Sequence, residues 1–193
     1  MKKVITFLMF MVVLTAMAGN KKNSFQPLNE NGAYEKKVVV EVPGVSASDL
    51  YKRASEMLSN WKGSNGKSSS QIEGQDKETF TVEYKGRNWE GYEKYVLKFG
   101  WDCWSDFTLR IKCKDEKVQL IMTVASMTFK YNASNNNEEY TIPLPELIPK
   151  YKGPLTIWRN VKKYPPQLPQ SMDAMLRVFA DKIGKTPDID EDF

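Results

Sequence analysis

The segment from Arg87 to Phe107 contains the side chains best suited to contact a ligand. Three of the five tryptophans fall between positions 89 and 104, and acidic residues are interleaved with them. Aromatic rings offer broad apolar contact and carboxylates accept hydrogen bonds, which suits a sugar or an extended peptide. If the segment is a loop, its rings face solvent. Core packing is the favoured interpretation of the aromatic residues in this segment, and the candidates for ligand binding are Trp89, Tyr92, Trp101 and Trp104.

Catalytic chemistry has few candidates in this chain. Histidine is absent, which excludes Ser–His–Asp and Cys–His catalysis as well as His-ligated zinc. Two cysteines cannot form a four-thiolate metal site, and no glycine-rich phosphate loop is present. We therefore expect no cofactor, no metal and no enzymatic activity. The alternative is a carboxylate-dependent hydrolase acting on glycan or peptide, in which Glu90 pairs with Asp102 or Asp106.

The N-terminus is typical of a secretory signal peptide. Lys2 and Lys3 precede an uncharged apolar run of 11 residues, and a small-x-small sequence predicts cleavage between Ala18 and Gly19. The alternative is an uncleaved anchor, but a membrane-spanning helix needs about 20 apolar residues. We expect residues 1–18 to be removed, leaving a secreted or periplasmic protein.

The charge of the chain gives no reason to expect a nucleic-acid partner. The formal net charge is +4, and Lys2 and Lys3 supply two of these units. The excess that remains after export is too small for the basic surface that nucleic-acid binding requires. No stretch beyond the signal peptide approaches membrane length. The expected partner is an envelope protein or a glycan.

Cys103 and Cys113 are candidates for a disulfide because an exported chain meets an oxidising compartment. One continuous strand between them would hold their Cα atoms roughly 33 Å apart, whereas a disulfide needs about 7 Å or less. Cys113 is also in phase with neighbouring apolar strand positions, which is typical of a small buried hydrophobe. Two unpaired thiols are therefore the favoured prediction.

Two amphipathic helices are predicted. The first runs from about Ala47 to Trp61 and begins with a capping box formed by Ser46 and Asp49. The second runs from about Met172 to Ile183 with Ser171 as its N-cap. Each helix has one apolar face, which consists of Leu50, Ala54, Met57, Leu58 and Trp61 in the first and of Met172, Met175, Leu176, Phe179 and Ile183 in the second.

Alternating apolar residues predict several β-strands between the helices. They cover residues 36–42, 79–85, 95–99, 107–113 and 118–131. The apolar phase changes near Ala125 and Ser126, which indicates a β-bulge. Short spacers between the strands favour an antiparallel meander, because parallel strands need long crossovers.

The sequence predicts one domain over residues 34–184. Residues 19–33 are polar and are expected to form a flexible leader. Seven prolines between positions 141 and 169 predict an extended arm laid over the domain. Residues 185–193 form an acidic tail.

The order of these elements predicts an α+β fold, in which a curved antiparallel sheet carries two helices on one face. The stretch from Val38 to Ser46, followed by Asp49 to Ala54, resembles a family of secreted gut-bacterial (Bacteroides-type) domains of unknown function with a TATA-binding-protein-like (TBP-like) fold. The resemblance covers roughly residues 34–131 and the closing helix. It implies the β-α-β(4-5)-α order and assigns no catalytic residue.

A TBP-like fold does not by itself imply DNA binding, since one fold serves many functions. Together, the signal peptide, the missing catalytic set and the aromatic segment predict an exported, non-catalytic binding or interaction module of the bacterial cell envelope.

Overall fold

The computed structural model describes residues 27–59, 61, 66–96, 99–132, 138–148 and 163–184. The predicted signal peptide, its cleavage point at Ala18 and Gly19 and the acidic tail lie outside these residues. The described elements are β1 (Tyr34–Glu41), α1 (Ala47–Ser59), β2 (Ser69–Asp76), β3 (Thr81–Val96), β4 (Phe99–Lys114), β5 (Lys117–Asn132), β6 (Glu139–Pro143), α2 (Leu144–Leu147), a 3-10 turn (Pro165–Gln167) and α3 (Leu168–Gly184).

The strands form one antiparallel sheet in the order β1-β5-β4-β3-β2. Strand β6 pairs with the second half of β5, beyond the part that pairs with β1. Consecutive strands from β2 to β6 are neighbours, as expected for short connections. The predicted α+β antiparallel architecture is confirmed, with six strands.

One face of the sheet and both long helices share a single core. Odd-numbered residues of β4 and even-numbered residues in the first half of β5 point into it, because strand side chains alternate between faces. Trp61 joins the layers, since its ring meets both Phe107 and Phe179 edge to face at 5.5 Å. We call the sheet face that carries α1 and α3 the helix face, and the opposite one the open face.

The aromatic segment is strand rather than loop. Strands β3 and β4 run 16 residues each and pair along nearly their whole length. One extra residue, Glu90, interrupts the register between Trp89 and Gly91. Gly91 has a φ of +151°, which a residue with a side chain rarely adopts. The bulge allows pairing to continue through a stretch whose sequence lacks a clean alternation.

The predicted N-terminus of α1 is confirmed. The Asp49 N–H donates to the Ser46 hydroxyl at 3.1 Å, and that hydroxyl donates to the Asp49 carboxylate at 2.8 Å. A distant residue assists, because the Ala47 N–H donates to the carboxylate of Asp115 in the β4–β5 turn. The helix ends at Ser59, two residues before the predicted end.

The Asp115 contact gives a first stability prediction. Replacing Asp115 with alanine leaves the Ala47 N–H without this partner, and losing a helix cap costs about 1 kcal/mol. Asp115→Asn retains an acceptor oxygen and should lose less. Urea unfolding of both variants measures the difference, with exposed Lys114→Ala as a control. Equal stability of Asp115→Ala and the parent protein would show that the contact is not stabilising.

Helix α3 begins at Leu168, four residues before the predicted start, so the predicted N-cap at Ser171 is wrong. Pro169 lies in the first helical turn, where a missing N–H leaves no helix hydrogen bond unmade. Ser171 is inside the helix and its hydroxyl bonds to Glu90. The predicted apolar face is buried in full, at Met172, Met175, Leu176, Phe179 and Ile183.

Three further features compare with the sequence predictions. Residues 27–33 were expected to be flexible, yet Ala33 is buried and Leu28 packs on the core. The described parts of the predicted arm include β6 and α2, while residues 149–162 lie outside the described residues. The bulge predicted at Ala125 and Ser126 is confirmed by the register shift opposite Asp106.

Candidate functional site

Two of the predicted binding residues meet on the open face of the sheet. Trp89 on β3 and Trp104 on β4 are direct partners in the strand register, and both are partly buried. Both side chains lie on the sheet face opposite to that of Ser105 and Phe107, which point to the helices. The paired rings form the centre of the candidate site, which we call the tryptophan pair.

A carboxylate beneath the rings holds the tryptophan pair in place. Asp102 is only 7% exposed and accepts hydrogen bonds from the Trp89 indole N–H at 2.7 Å and from Lys67 Nζ at 3.0 Å. The same ammonium lies 4.8 Å from the centroid of the Trp89 ring. The Trp104 indole N–H donates to the Lys67 carbonyl at 3.4 Å. One Asp and one Lys thus orient both rings before any ligand arrives.

Tyr92 extends the aromatic surface. It stands opposite Asp102 in the register and is partly buried, with its ring over the backbone of Gly100. Tyr92 is three positions after Trp89, which on a regular strand would place the two side chains on opposite faces. The extra residue of the bulge, Glu90, shifts the alternation by one position, so Tyr92 lies on the same face as Trp89.

Trp101 lies apart from the other three candidates. It is 3% exposed on the helix face, and its ring packs against Tyr131 and Tyr140 with centroids 5.0 and 5.8 Å away. Trp101 and Trp104 are three positions apart on one regular strand, so their side chains point to opposite faces. Trp101 is therefore a core residue in this structure and offers no ring to a surface ligand.

A polar depression of about 470 Å³ adjoins the tryptophan pair on the open face. Arg87 and Asp106 lie between the depression and the tryptophan pair. Arg87 is two residues before Trp89 on β3, and Asp106 is two residues after Trp104 on β4. Arg87 forms ion pairs with Asp106 at 3.1 Å and with Glu139 at 2.8 Å. Other side chains with donors and acceptors complete the lining, among them Gln71, Lys85, Thr108 and Ser126.

The sequence patterns did not single out Lys67 or Arg87. Lys67 lies in a polar stretch before β2, and only the folded sheet brings it to Asp102, 35 positions along the chain. Arg87 had one available signal, because it lies two residues before Trp89 and therefore shares its strand face.

The carboxylate pairing required by the hydrolase alternative does not form. Glu90 lies on the helix face, where its carboxylate accepts hydrogen bonds from Ser105 and Ser171. Asp102 and Asp106 lie on the open face with their own partners. The sheet separates Glu90 from both aspartates, so the three cannot converge on one glycosidic or peptide bond.

The two cysteines are free thiols at buried positions of β4. Burial raises the pKa of the Cys113 thiol to about 11 and raises the pKa of the Cys103 thiol far above its usual value. Protonated, buried thiols are poor nucleophiles, because the thiolate is the reactive form. Within the described residues, acidic and cysteine side chains form no cluster suited to a metal ion.

None of the helices in the described part of the chain combines the length and apolar character needed to cross a membrane.

Residues 37–130 match the model of a family described as a domain of unknown function (DUF4468) with TBP-like fold. A TBP-like protein from Parabacteroides distasonis ATCC 8503 is 14% identical with a TM-score of 0.51, covering 79% of this chain and 95% of its own. A DUF4468 family protein from Bacteroides ovatus ATCC 8483 is 17% identical with a TM-score of 0.52, covering 84% and 92% respectively. No curated protein matches the chain.

At these identities the two solved structures establish the fold and carry no activity or ligand with them. The family match runs from β1 to β5 and so includes the tryptophan pair and its supporting residues. The resemblance seen in the sequence is confirmed. The chain therefore contains, over residues 37–130, a domain of the DUF4468 family with a TBP-like fold.

Proposed function

We propose that this protein is an exported, non-catalytic binding module of the bacterial cell envelope and that it holds a glycan chain on the open face of its sheet. The observation that carries the proposal is the tryptophan pair, whose two indole N–H groups are already bonded within the protein. A ligand would therefore contact the rings through the apolar surface that Lys67, which lies over the Trp89 ring, leaves uncovered.

The polar depression supports a sugar as the ligand class. A pyranose ring has apolar C–H faces and a rim of hydroxyl groups, so it suits an aromatic surface beside hydrogen-bond donors and acceptors. Arg87, Asp106 and Thr108 provide such groups within one strand pair. A bound chain would place one sugar on the rings and the next in the depression.

Export is supported by the N-terminal sequence, with its basic start, short apolar run and small residues before Gly19. The absence of histidine and the separation of Glu90 from Asp102 support a non-catalytic role. A binding module needs only an accessible surface of stable shape, and the strands provide it.

A glycan screen of the protein, followed by calorimetry on the best ligand, tests this proposal. We expect the double substitution Trp89→Ala/Trp104→Ala to weaken binding roughly 30-fold, as is typical for removal of a dominant aromatic contact. Lys112→Ala is the matched control, because Lys112 lies on the open face of β4 but away from the tryptophan pair.

Circular dichroism of each variant checks that the sheet is intact. The proposal fails if no glycan binds the parent protein, or if the tryptophan double variant binds as tightly as the Lys112 control. Binding of an extended peptide in place of a glycan would contradict the ligand class while leaving the surface in place.

A further inference from the structure

The edges of the sheet differ in how well they are protected against pairing with another strand. Strand β2 carries a bulge between Ile72 and Gly74, and β6 is five residues long and ends at Pro143. Bulges, prolines and short edge strands are features that prevent intermolecular pairing. Both of these edges are therefore protected.

Strand β1 lacks these features. It has eight residues, contains no proline or glycine and pairs with β5 without any register shift. Among the described strands, only β5 is bonded to it, so its outer edge has backbone groups available for pairing. Val39 on the open face is 59% exposed, more than any other large hydrophobic side chain in the described part of the chain.

Pairing between two copies of β1 about a twofold axis is limited to a few registers. In an antiparallel pair, two facing residues have their side chains on the same face of the sheet. The backbone N–H and C=O groups of both residues point either toward the other strand or away from it. A symmetric β1–β1 pair therefore matches odd residues with odd residues and even with even. A residue must lie on the axis and face its own copy.

Charge selects among these registers. An axis at Lys37 places two lysines together, and an axis at Val38 places Glu35 against Glu41 twice. An axis at Val39 pairs Lys37 with Glu41 twice and buries Val39 against its own copy. Like charges directly opposite are destabilising, whereas opposite charges and β-branched pairs are favourable. The register centred on Val39 is the complementary one.

We propose that this protein forms a homodimer in which β1 pairs antiparallel with β1 of a second copy, with Val39 on the twofold axis. The two sheets become one continuous sheet of twelve strands, and the open faces of both copies lie on the same side. Within one chain, Lys37 contacts Glu35 at 3.0 Å and Glu41 contacts Lys117 at 3.4 Å. These exposed pairs contribute little, so their exchange for intermolecular pairs costs little.

Charge reversal tests this register directly. The full chain is expressed, purified after export, and its mass is measured by light scattering and sedimentation over a range of concentrations. We expect a dimer for the parent protein, and about a tenfold or greater rise in the dissociation constant for either Lys37→Glu or Glu41→Lys, because each creates two like-charge pairs. The double variant Lys37→Glu/Glu41→Lys should restore the dimer.

Mixing the two single variants is the sharpest measurement. One copy then has Glu at both positions and the other has Lys at both, so the mixture should form a heterodimer although each variant alone dissociates. Lys94→Glu is the matched control, because it reverses a charge on β3 in a part of the sheet beyond the residues that pair with β1.

A monomeric parent protein across the concentration range would overturn the proposal. So would dimers that persist in both single variants, or a mixture that stays monomeric. Circular dichroism and thermal unfolding of every variant ensure that a change in mass is not caused by unfolding.

Discussion

Phe179→Ala is expected to destabilise the protein by about 3–5 kcal/mol, the range for removing a buried aromatic ring. Phe179 is fully buried in α3, and its ring meets Trp61 edge to face. Trp61 meets Phe107 of β4 in the same way, so Phe179 supports a stack that joins α3 to the sheet. Its removal leaves a cavity next to a six-stranded sheet, which cannot collapse to fill it.

This loss is a large share of the stability of a typical domain, which is about 5–15 kcal/mol. Urea unfolding measures it, and the melting temperature should fall by roughly 10 °C. Val178→Ala is the matched control, because Val178 is the preceding residue of the same helix but is 46% exposed. Similar losses in the two variants would mean that α3 does not pack as described.

Glu90→Ala is expected to cost about 2–3 kcal/mol, because buried donors left without an acceptor are expensive. One carboxylate oxygen of Glu90 accepts hydrogen bonds from the Ser105 hydroxyl, from the Asn88 amide at 3.0 Å and from the Ser171 hydroxyl at 3.1 Å. These partners belong to β3, β4 and α3, and Ser105 is 1% exposed. Glu90 therefore fastens the closing helix to the sheet at the bulge.

Glu90→Gln separates this structural role from a loss of volume. Glutamine has nearly the same shape and keeps one carbonyl oxygen, whose two lone pairs can accept two of the three bonds. We expect it to lose less than half as much stability as Glu90→Ala in urea unfolding. If the two variants unfold at the same urea concentration, the hydrogen bonds are not what Glu90 contributes.

Several elements could be predicted because their signals are local. The cap at Ser46, the apolar face of α3 and the phase change at Ala125 each depend on residues within a few positions of one another. Helix and strand periodicities follow from backbone geometry alone, so these patterns are visible in the sequence. The start of α3 was misplaced because a proline can occupy the first turn of a helix as well as precede it.

The candidate site was harder to predict because it depends on strand pairing. The segment around Trp89 has no clean alternation, so the sequence left open which of the four aromatic side chains face solvent and which pack in the core. Continuous pairing of β3 with β4 turned Trp101 inward and left Trp104 outward, since strand side chains alternate. The bulge then turned Glu90 toward Ser171 and Tyr92 toward the open face.

By itself the sequence determined the α+β class, the antiparallel order, both amphipathic helices and the aromatic character of the central hairpin, since periodicity and capping act over short distances along the chain. Only the tertiary structure decided which tryptophans share a face, that Lys67 reaches Asp102, and that Asp115 caps α1. The physical reason is that register and bulge position depend on hydrogen bonds between strands, whose partners lie tens of residues apart.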